Sequence, residues 1–361
     1  MMLVVQPDDG VNELIKGIDS AKTTIEITIF RFDHRKIESA LTHAAKRGVF
    51  VHALIASVSS GGEKYLRKLE MRLLDQGITV GRTDNNLARY HSKLMIIDRQ
   101  VLYLMGFNAT YLDIARSRSF GIITKSKPIV QESVKLFEAD ANRRSYVAGL
   151  ETLVVSPANA RKQLTVFLRG ARKQLLIYDP KISDIPMIHL LQQRARAGVE
   201  VKIIGKVTHH HEELTVRKLP SIRLHTRTII RDGQRAFIGS QSLRGIELDG
   251  RREAGLIFED AKVIGVLLKT FEKDWAMATM GALSKEQRSV STSKTAKHLV
   301  KVVTQENASL AEIIKGSLEE AVGTNGDVKV KHKKVEREVK KAVKAVIDET
   351  LTDAMKDVKR N

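Results

Sequence analysis

The sequence predicts an α/β fold that contains two copies of one unit, followed by a helical, basic C-terminal tail. Identical residues spaced 150 positions apart mark the duplication. They are Pro7, Ala21, Gly48, Val49 and Val51 in the first copy, and Pro157, Ala171, Gly198, Val199 and Val201 in the second. From His91 onward the offset is 134, so the second copy lacks 16 residues. We assign the additional residues of the first copy to a loop between Leu54 and His91, where residues 57–62 are typical of an irregular connection.

Each copy begins with the same order of predicted elements, which is helix, strand, helix and strand. The second helix ends in each copy at a glycine, Gly48 or Gly198, which can adopt the left-handed conformation that terminates helices. Strand, helix and strand with short connections are typical of a right-handed crossover in an α/β sheet. The paired segments are 11–21 and 162–171, 24–29 and 174–178, 37–47 and 188–197, and 49–55 and 199–204.

A β-hairpin is predicted next in each copy. In the second copy, residues 228–230 and 235–238 flank Asp232 and Gly233, which together are a strong hairpin signal. The first copy has the equivalent strands at 94–97 and 101–104. Since side chains two residues apart on a strand share a face, each hairpin can direct two side chains into one site. These pairs are His91 with Lys93, and His225 with Arg227.

Composition narrows the functional classes. The chain has 361 residues, is 42% hydrophobic and contains no cysteine, which predicts a globular protein without disulfides or thiolate metal sites. The net charge of +19 predicts attraction to polyanions, namely nucleic acid, anionic lipid or phosphorylated substrates. No secretory signal and no apolar run long enough to span a membrane is evident, so we expect a cytoplasmic protein whose membrane contact, if any, is peripheral to the inner face.

The two hairpin motifs resemble the paired HxKxxxxD(x6)GSxN motifs of the phospholipase D superfamily. The first is His91-x-Lys93-x4-Asp98 with Asn108, and the second is His225-x-Arg227-x4-Asp232 with Ser242. The resemblance covers about residues 3 to 280. It implies two α/β sandwiches related by a pseudo-twofold axis, with both motifs lining one cleft, and a phosphodiesterase or phosphatidyltransferase that requires neither metal nor cofactor.

Four residues depart from the family pattern. Met105 and Gly106 stand where Gly and Ser are usual, Arg227 replaces Lys, and Ser242 replaces Asn. Arg227 keeps the positive charge and can bind phosphate in a bidentate way, whereas Ser242 has a shorter reach than an amide. These changes leave open a catalytically inactive, phosphate-binding protein as an alternative.

The resemblance also assigns roles to the motif residues. Glu253 has no acidic counterpart in the first copy, where Ser119 stands at the matching position. In the family this acid orients the histidine of the opposite half, which implies that His91 is the nucleophile and His225 the general acid. Lys93, Asn108, Arg227 and Ser242 complete the predicted catalytic set.

Three further acidic residues near the motifs are interpreted as structural. Asp98 and Asp232 end the motifs at the hairpin turns, where a side chain that caps the turn is the expected role. Asp113 is a candidate partner for His225, but an exposed loop carboxylate is the commoner explanation of such a position.

The run of residues 209–213, His-His-His-Glu-Glu, is interpreted as a solvated loop, because adjacent side chains cannot easily bind one metal ion.

Beyond the two copies, composition changes to a polar linker at 284–293 and a lysine-rich tail. We therefore expect three parts, with a first half at 1–150, a second half at 151–283, and a linker and helical tail at 284–361. Hydrophobic residues at helical spacing in 335–351 predict an amphipathic basic helix. This helix either contacts anionic membrane or packs on the body or on a second tail helix at 309–322.

Two substrate classes fit the predicted chemistry. Two motifs in one chain and the lysine-rich tail resemble cardiolipin synthase type members, which favours a phospholipid substrate. A basic cleft suits a nucleic-acid backbone equally well, which leaves a nuclease as the alternative. Aromatic residues are only 5% of the chain and do not alternate with Lys or Arg, which disfavours single-strand binding by base stacking. The sequence indicates neither the acceptor nor the oligomeric state.

Overall fold

The structure is a computed structural model that describes residues 1–57, 63–208 and 213–280. These residues belong to one compact unit, Met1–Gly281. The linker, both predicted tail helices, His298 and His332 lie outside the described residues. The same holds for residues 58–62 of the predicted loop and for residues 209–212 of the histidine run.

The first half contributes eight strands and five helices to the part of the chain that the structure describes. Its strands are β1 (Met2–Gln6), β2 (Thr24–Ile29), β3 (Phe50–Ile55), β4 (Thr79–Arg82), β5 (Arg89–Tyr90), β6 (Leu94–Ile97), β7 (Val101–Met105) and β8 (Ser117–Thr124). Its helices are α1 (Asn12–Ser20), α2 (Arg35–Lys46), α3 (Glu63–Asp75), α4 (Tyr111–Ala115) and α5 (Lys127–Ala141).

The second half repeats this order. Its described strands are β9 (Leu153–Ser156), β10 (Gln174–Ile182), β11 (Glu200–Val207), β12 (Thr215–Lys218), β13 (Arg223–Leu224), β14 (Arg227–Arg231), β15 (Arg235–Gly239), β16 (Arg251–Phe258) and β17 (Thr279–Met280). Its helices are α6 (Ala160–Arg169), α7 (Ile185–Arg196), α8 (Gly245–Asp249) and α9 (Ala261–Met277).

The predicted crossovers and hairpins build two mixed sheets. The first sheet has the order β1-β8-β7-β6-β2-β3-β4, and the second has the order β17-β12-β11-β10-β14-β15-β16-β5, with β9 also paired to β16. β2 with β3 and β10 with β11 are parallel, while the hairpins β6–β7 and β14–β15 are antiparallel. Gly48 and Gly198 have φ of 87° and 85°, which only glycine adopts readily, and they end α2 and α7. The predicted α/β fold with two related halves is confirmed.

Each half donates one short strand to the sheet of the other half. β5 of the first half pairs in parallel with β16 of the second, through Arg89 with Arg251 and Tyr90 with Arg252. β13 of the second half pairs in parallel with β8 of the first, at the equivalent register. The exchange matters for function, because β5 and β13 lead directly into the two histidine motifs.

Three hydrophobic clusters hold the layers together. One lies under α1, α2 and α3 on the first sheet, and another lies under α6 and α7 on the second. The largest residues of the third cluster join both sheets to α5 and α9, with Phe120, Tyr178 and Phe271 in edge-to-face contact at centroid distances of 5.5 and 5.0 Å. The halves therefore share a core, which fixes the two motifs relative to each other.

Two buried ion pairs also cross between the halves. Arg118 on β8 donates to Asp274 on α9 through Nε at 2.8 Å and Nη2 at 3.1 Å. Arg252 on β16 donates to Asp140 on α5 through Nε at 3.0 Å. Both aspartates are at most 2% exposed. Arg118 and Arg252 are adjacent in sequence to Ser119 and Glu253, so these ion pairs brace the strands that face the histidines.

The additional residues of the first half are not the irregular loop that we predicted, because most of them form α3. Leu66, Leu69 and Leu73 are buried in the cluster on the first sheet, at the spacing of one helical face. The glycine- and serine-rich segment that precedes α3 suggested a loop, and the leucine periodicity behind it was the overlooked signal.

Candidate active site

The first histidine is held at the boundary between the halves. The backbone N–H of His91 donates a 2.7 Å hydrogen bond to the carbonyl oxygen of Arg252 on β16. Glu253, the next residue on β16, places Oε2 2.8 Å from Nδ1 of His91. Glu253 is fully buried, and His91 is 7% exposed. The strand exchange thus brings a carboxylate of the second half to the histidine of the first.

This contact selects one tautomer of His91. A carboxylate accepts a hydrogen bond only from a protonated nitrogen, so Glu253 keeps the proton on Nδ1 and leaves the lone pair on Nε2. The edge of the ring also meets Phe30, at 4.5 Å between centroids. Both contacts fix the orientation of the His91 ring.

Lys93 lies beside the same nitrogen. Its Nζ is 3.0 Å from Nε2 of His91 and donates to the carbonyl oxygen of His91 at 2.7 Å. Burial lowers the pKa of Lys93 to about 7, with the Glu253 carboxylate opposing the shift and Arg227 adding to it. A cation in this position can stabilise the charge of a phosphoryl oxygen that lies next to Nε2.

We expect kcat/KM for a soluble phosphodiester to fall above pH 7, because Lys93 then loses its proton and its charge. The fall should approach about tenfold per pH unit, as for a single essential group in the free enzyme. A pH profile from 5 to 9 with bis(p-nitrophenyl) phosphate measures it. In Lys93→Arg, whose guanidinium stays protonated, the alkaline limb should disappear even though the rate is lower. An unchanged limb in that variant would assign the titration to another group.

The second histidine has no equivalent carboxylate at Nδ1. The N–H of His225 donates to the carbonyl oxygen of Arg118 on β8 at 3.1 Å, as His91 does on β16. The residue that matches Glu253 is Ser119, whose buried hydroxyl has no hydrogen-bond partner within the part of the chain that the structure describes. Nδ1 of His225 is also buried and lacks a partner among the described residues. The two histidines are therefore chemically unequal.

Arg227 takes in the second half the place that Lys93 has in the first. Its Nη1 donates to the carbonyl oxygen of His225 at 2.6 Å, and its Nε donates to Oγ of Ser242 at 3.1 Å. Ser242, which replaces the usual amide, thus orients the guanidinium. The longer Arg227 side chain and the shorter Ser242 side chain compensate each other in length.

Asp113 is a buried carboxylate of the site, and our interpretation of it as an exposed loop residue is wrong. It is 3% exposed, and its Oδ2 accepts hydrogen bonds from the N–H and the Nδ2 of Asn108 at 2.9 and 2.6 Å. The same oxygen lies 3.6 Å from Nε2 of His225. The cause is α4, a single helical turn capped by Thr110, which directs Asp113 inward and is too short to predict from periodicity.

Glu247 is the counterpart of Asp113, and we did not predict it. One of its oxygens accepts the N–H of Ser242 at 2.7 Å. The other accepts Nη1 of Arg244 at 2.8 Å and Nη1 of Arg251 at 3.2 Å. The offset of 134 residues, applied to Asp113, would have found it.

The hairpin-turn aspartates act on the backbone. Asp98 and Asp232 have φ of 51° and 54° in the tight turns, and each accepts hydrogen bonds from three consecutive backbone N–H groups. These are residues 22–24 for Asp98 and residues 172–174 for Asp232. The contacts attach each hairpin turn to the start of a neighbouring strand, away from the histidines.

Asp179 on β10 is a further buried acid that we did not predict. Its Oδ2 accepts the N–H of Leu243 at 2.8 Å, directly after Ser242. Burial raises the pKa of Asp179 to about 6, and the hydrogen bond from Leu243 opposes the shift. The first half has Ile29 at the matching position, so the repeat gave no signal for it.

The charges of the two halves act on a common site. Burial lowers the pKa of His91 and of His225 well below the ordinary range. Lys93 and Arg227 lower both values further, so each histidine senses the cation of the other half. Asp113 opposes the shift at His225. Both shifts favour the neutral rings, and a neutral His91 with its proton on Nδ1 keeps a lone pair on Nε2.

The fold is a duplicated α/β unit with one histidine and one cation in each half, and a carboxylate of the second half contacts the histidine of the first. These features define a two-motif phospholipase D-type protein. The family described as "Cardiolipin synthase, PLD-like domain" matches residues 14–141 and 164–275, more than half of the chain, and the chain belongs to that family. The predicted resemblance to the phospholipase D superfamily is confirmed. Membership supports an enzyme with phospholipase D-type or phosphatidyltransferase activity.

Individual relatives are distant. A cardiolipin synthase of Clostridium perfringens is 23% identical over 77% of this chain and 71% of its own length. Among solved structures, a polyphosphate kinase of Porphyromonas gingivalis superposes with a TM-score of 0.65 at 19% identity, over 76% of this chain and 50% of that one. A phosphatidylserine synthase of Haemophilus influenzae has a TM-score of 0.56 at 13% identity, over 76% and 85%. The two structural similarities concern the fold alone.

No helix within residues 1–57, 63–208 and 213–280 combines the length and the apolar character needed to cross a bilayer.

Proposed function

We propose that this chain is a phospholipase D-type phosphodiesterase or phosphatidyltransferase that acts on phospholipids through a phosphohistidine on His91. The observation that carries the proposal is the 2.8 Å contact between Nδ1 of His91 and Glu253 of the other half, with Lys93 at 3.0 Å from Nε2. The lipid substrate follows from the family and from the cardiolipin synthases that resemble the chain.

The proposed reaction has two displacements at phosphorus. In the first, Nε2 of His91 attacks, the N–P bond forms, and the P–O bond to the leaving alcohol breaks while His225 donates a proton to that oxygen. In the second, an acceptor hydroxyl gives its proton to His225 and attacks phosphorus, and the N–P bond breaks. Lys93 and Arg227 stabilise the phosphoryl oxygens, so the proposal needs no metal.

The role of His225 as an acid depends on the substrate. Its pKa is low in the protein alone because of burial and of Arg227. A bound phosphodiester adds a negative charge, which favours the protonated ring. Asp113, whose Oδ2 is 3.6 Å from Nε2, favours it further. His91, with Lys93 at its Nε2, stays neutral. His91 therefore acts as the nucleophile and His225 as the acid.

Replacing Glu253 with Gln should lower kcat about 10- to 100-fold, the range found for residues that orient a reactive histidine through its second nitrogen. The amide can present either an oxygen or an NH2 group to Nδ1, so the tautomer is no longer fixed. Steady-state kinetics with a soluble phosphodiester provide the test. Ser119→Ala, at the matching position of the other half, is the control and should change kcat less than twofold. Equal losses in both variants would contradict the assignment of His91 as nucleophile.

The proposed substrate class is tested by parallel incubation of the full chain with phosphatidylglycerol vesicles, plasmid DNA and single-stranded DNA, with and without EDTA. Thin-layer chromatography and gels report the products. We expect conversion of the lipid, unaffected by EDTA. Activity on DNA alone would establish the nuclease alternative, for which the net charge of +19 is the favourable observation. Activity on neither would contradict the proposed substrate class and favour the catalytically inactive alternative.

A further inference from the structure

In both motifs an arginine stands two residues before the histidine and continues the alternation of the motif side chains. Arg89, His91 and Lys93 alternate in the first half, as Arg223, His225 and Arg227 do in the second. Arg89 and Arg223 lie on the exchanged strands β5 and β13, paired with Arg251 and Ser117 of the opposite half. Since alternate residues of an extended segment share a face, each arginine lies on the side of its histidine, about 7 Å along the chain.

The two arginines differ in their partners. Nη1 of Arg223 donates to Oδ1 of Asp113 at 2.6 Å and to Oγ of Ser117 at 2.9 Å. Glu247 is the carboxylate that matches Asp113 and could pair with Arg89. Its Oε1 instead accepts hydrogen bonds from Arg244 and Arg251. The Nε of Arg89 is buried and has no hydrogen-bond partner among the described residues. Among the described residues, Arg89 therefore lacks the hydrogen-bonded ion pair that Arg223 has, and the carboxylates of Glu253 and Glu247 act on it only through space.

Arg89 also lies in a cluster of cations at the nucleophile. Its guanidinium carbon is 5.2 Å from the centre of the Phe30 ring, and Nζ of Lys93 is 5.9 Å from the same centre. Burial and the neighbouring Arg251 lower the pKa of Arg89. A partly buried guanidinium beside like charges is unfavourable until an anion binds, and its planar fork suits phosphate.

We propose that Arg89, together with Arg251, binds a second phosphate group, next to the phosphodiester that His91 attacks. The inference rests on the proposed function, in which the second group is the phosphate of an acceptor phospholipid. A lipid phosphodiester and a free phosphate ester share this chemistry. The enzyme would then prefer pairs of phosphates separated by a short linker, because Arg89 and His91 are alternate residues on one face of the chain.

Binding of two glycerol phosphates to the full chain tests the subsite without catalysis. In the His91→Asn background, calorimetry compares glycerol 1,3-bisphosphate with glycerol 3-phosphate. We expect the bisphosphate to bind about tenfold or more tightly, the range for a charge-assisted hydrogen bond. Arg89→Gln should remove the preference, and Arg89→Lys should keep part of it. Arg172, an exposed arginine just before β10, provides the control, because Arg172→Gln removes the same charge and should keep the preference entirely.

A preference that persists in Arg89→Gln, or is lost equally in Arg172→Gln, would overturn the proposal. Circular dichroism verifies that each variant is folded. If Arg89→Gln does not fold, Arg89→Lys still tests the proposal. A second assay separates the sources of the phosphate, by comparing phosphatidyl transfer to phosphatidylglycerol with transfer to glycerol in the otherwise unsubstituted protein. Arg89→Gln should reduce the first more than the second by about tenfold. If the unsubstituted protein transfers to neither acceptor and does not hydrolyse the lipid, the proposed function fails, while calorimetry still decides on the subsite.

Discussion

Replacing His91 with Asn should reduce turnover of a phosphodiester by about 10⁴-fold or more, because the nucleophile of the proposed reaction is then absent. Asn fits the volume of the imidazole approximately, so Glu253 and Lys93 keep their surroundings. Steady-state assays at enzyme concentrations high enough to detect the residual rate measure the loss. The effect exceeds that of Glu253→Gln, because one change removes the reacting atom and the other only its orientation.

The matched control is His225→Asn, which removes the acid instead. With a leaving group that needs no proton, such as p-nitrophenol, His225→Asn should still form the intermediate. Denaturation in alkali should then trap an alkali-stable phosphoprotein that is lost on acid treatment, and it should be absent in His91→Asn. The reverse pattern would exchange the roles of the two histidines. No trapped intermediate in either variant, or full turnover by His91→Asn, would refute the phosphohistidine.

Much of this fold could be predicted because the sequence contains two copies of the same unit. A residue pattern repeated at a constant offset, such as Gly48 with Gly198, separates structural requirements from chance. The same comparison isolated Glu253, since Ser119 at the matching position cannot act as a carboxylate. The asymmetry between the copies indicated chemistry, whereas their similarity indicated structure.

Features that depend on short elements or on tertiary packing could not be predicted in this way. Asp113 is directed inward by a single helical turn, which has no periodicity to detect. Asp179 has no acidic counterpart, and only the fold brings it to Leu243. The role proposed for Arg89 rests on a comparison of contacts. Arg223 forms an ion pair with Asp113, whereas the Nε of Arg89 has no hydrogen-bond partner among the described residues. Such comparisons require coordinates, because the partners lie on the opposite half.

The ion pairs that cross between the halves should differ in their contribution to stability. We expect Asp274→Asn to lower the free energy of unfolding by about 3–5 kcal/mol, the range for removal of one partner from a buried ion pair. The carboxylate of Asp274 accepts two hydrogen bonds from Arg118 and a third, at 2.8 Å, from the hydroxyl of Tyr178. With Asn, Arg118 loses its buried counterion and keeps only the ion pair with the exposed Asp8, whose Oδ2 lies 3.3 Å from Nη1. Urea titration of the full chain measures the change.

Asp140→Asn, at the matching position of the first half, is the control and should be less destabilising. Asp140 accepts only one hydrogen bond from Arg252, and burial raises its pKa to about 6, with Arg252 opposing the shift. A carboxylate with a raised pKa in the folded state costs stability at pH 7, and this cost decreases as the pH falls through about 6. Removing the Asp140 charge therefore offsets part of the lost ion pair at pH 7. Equal losses in the two variants would show that the crossing ion pairs are energetically equivalent despite their different geometry.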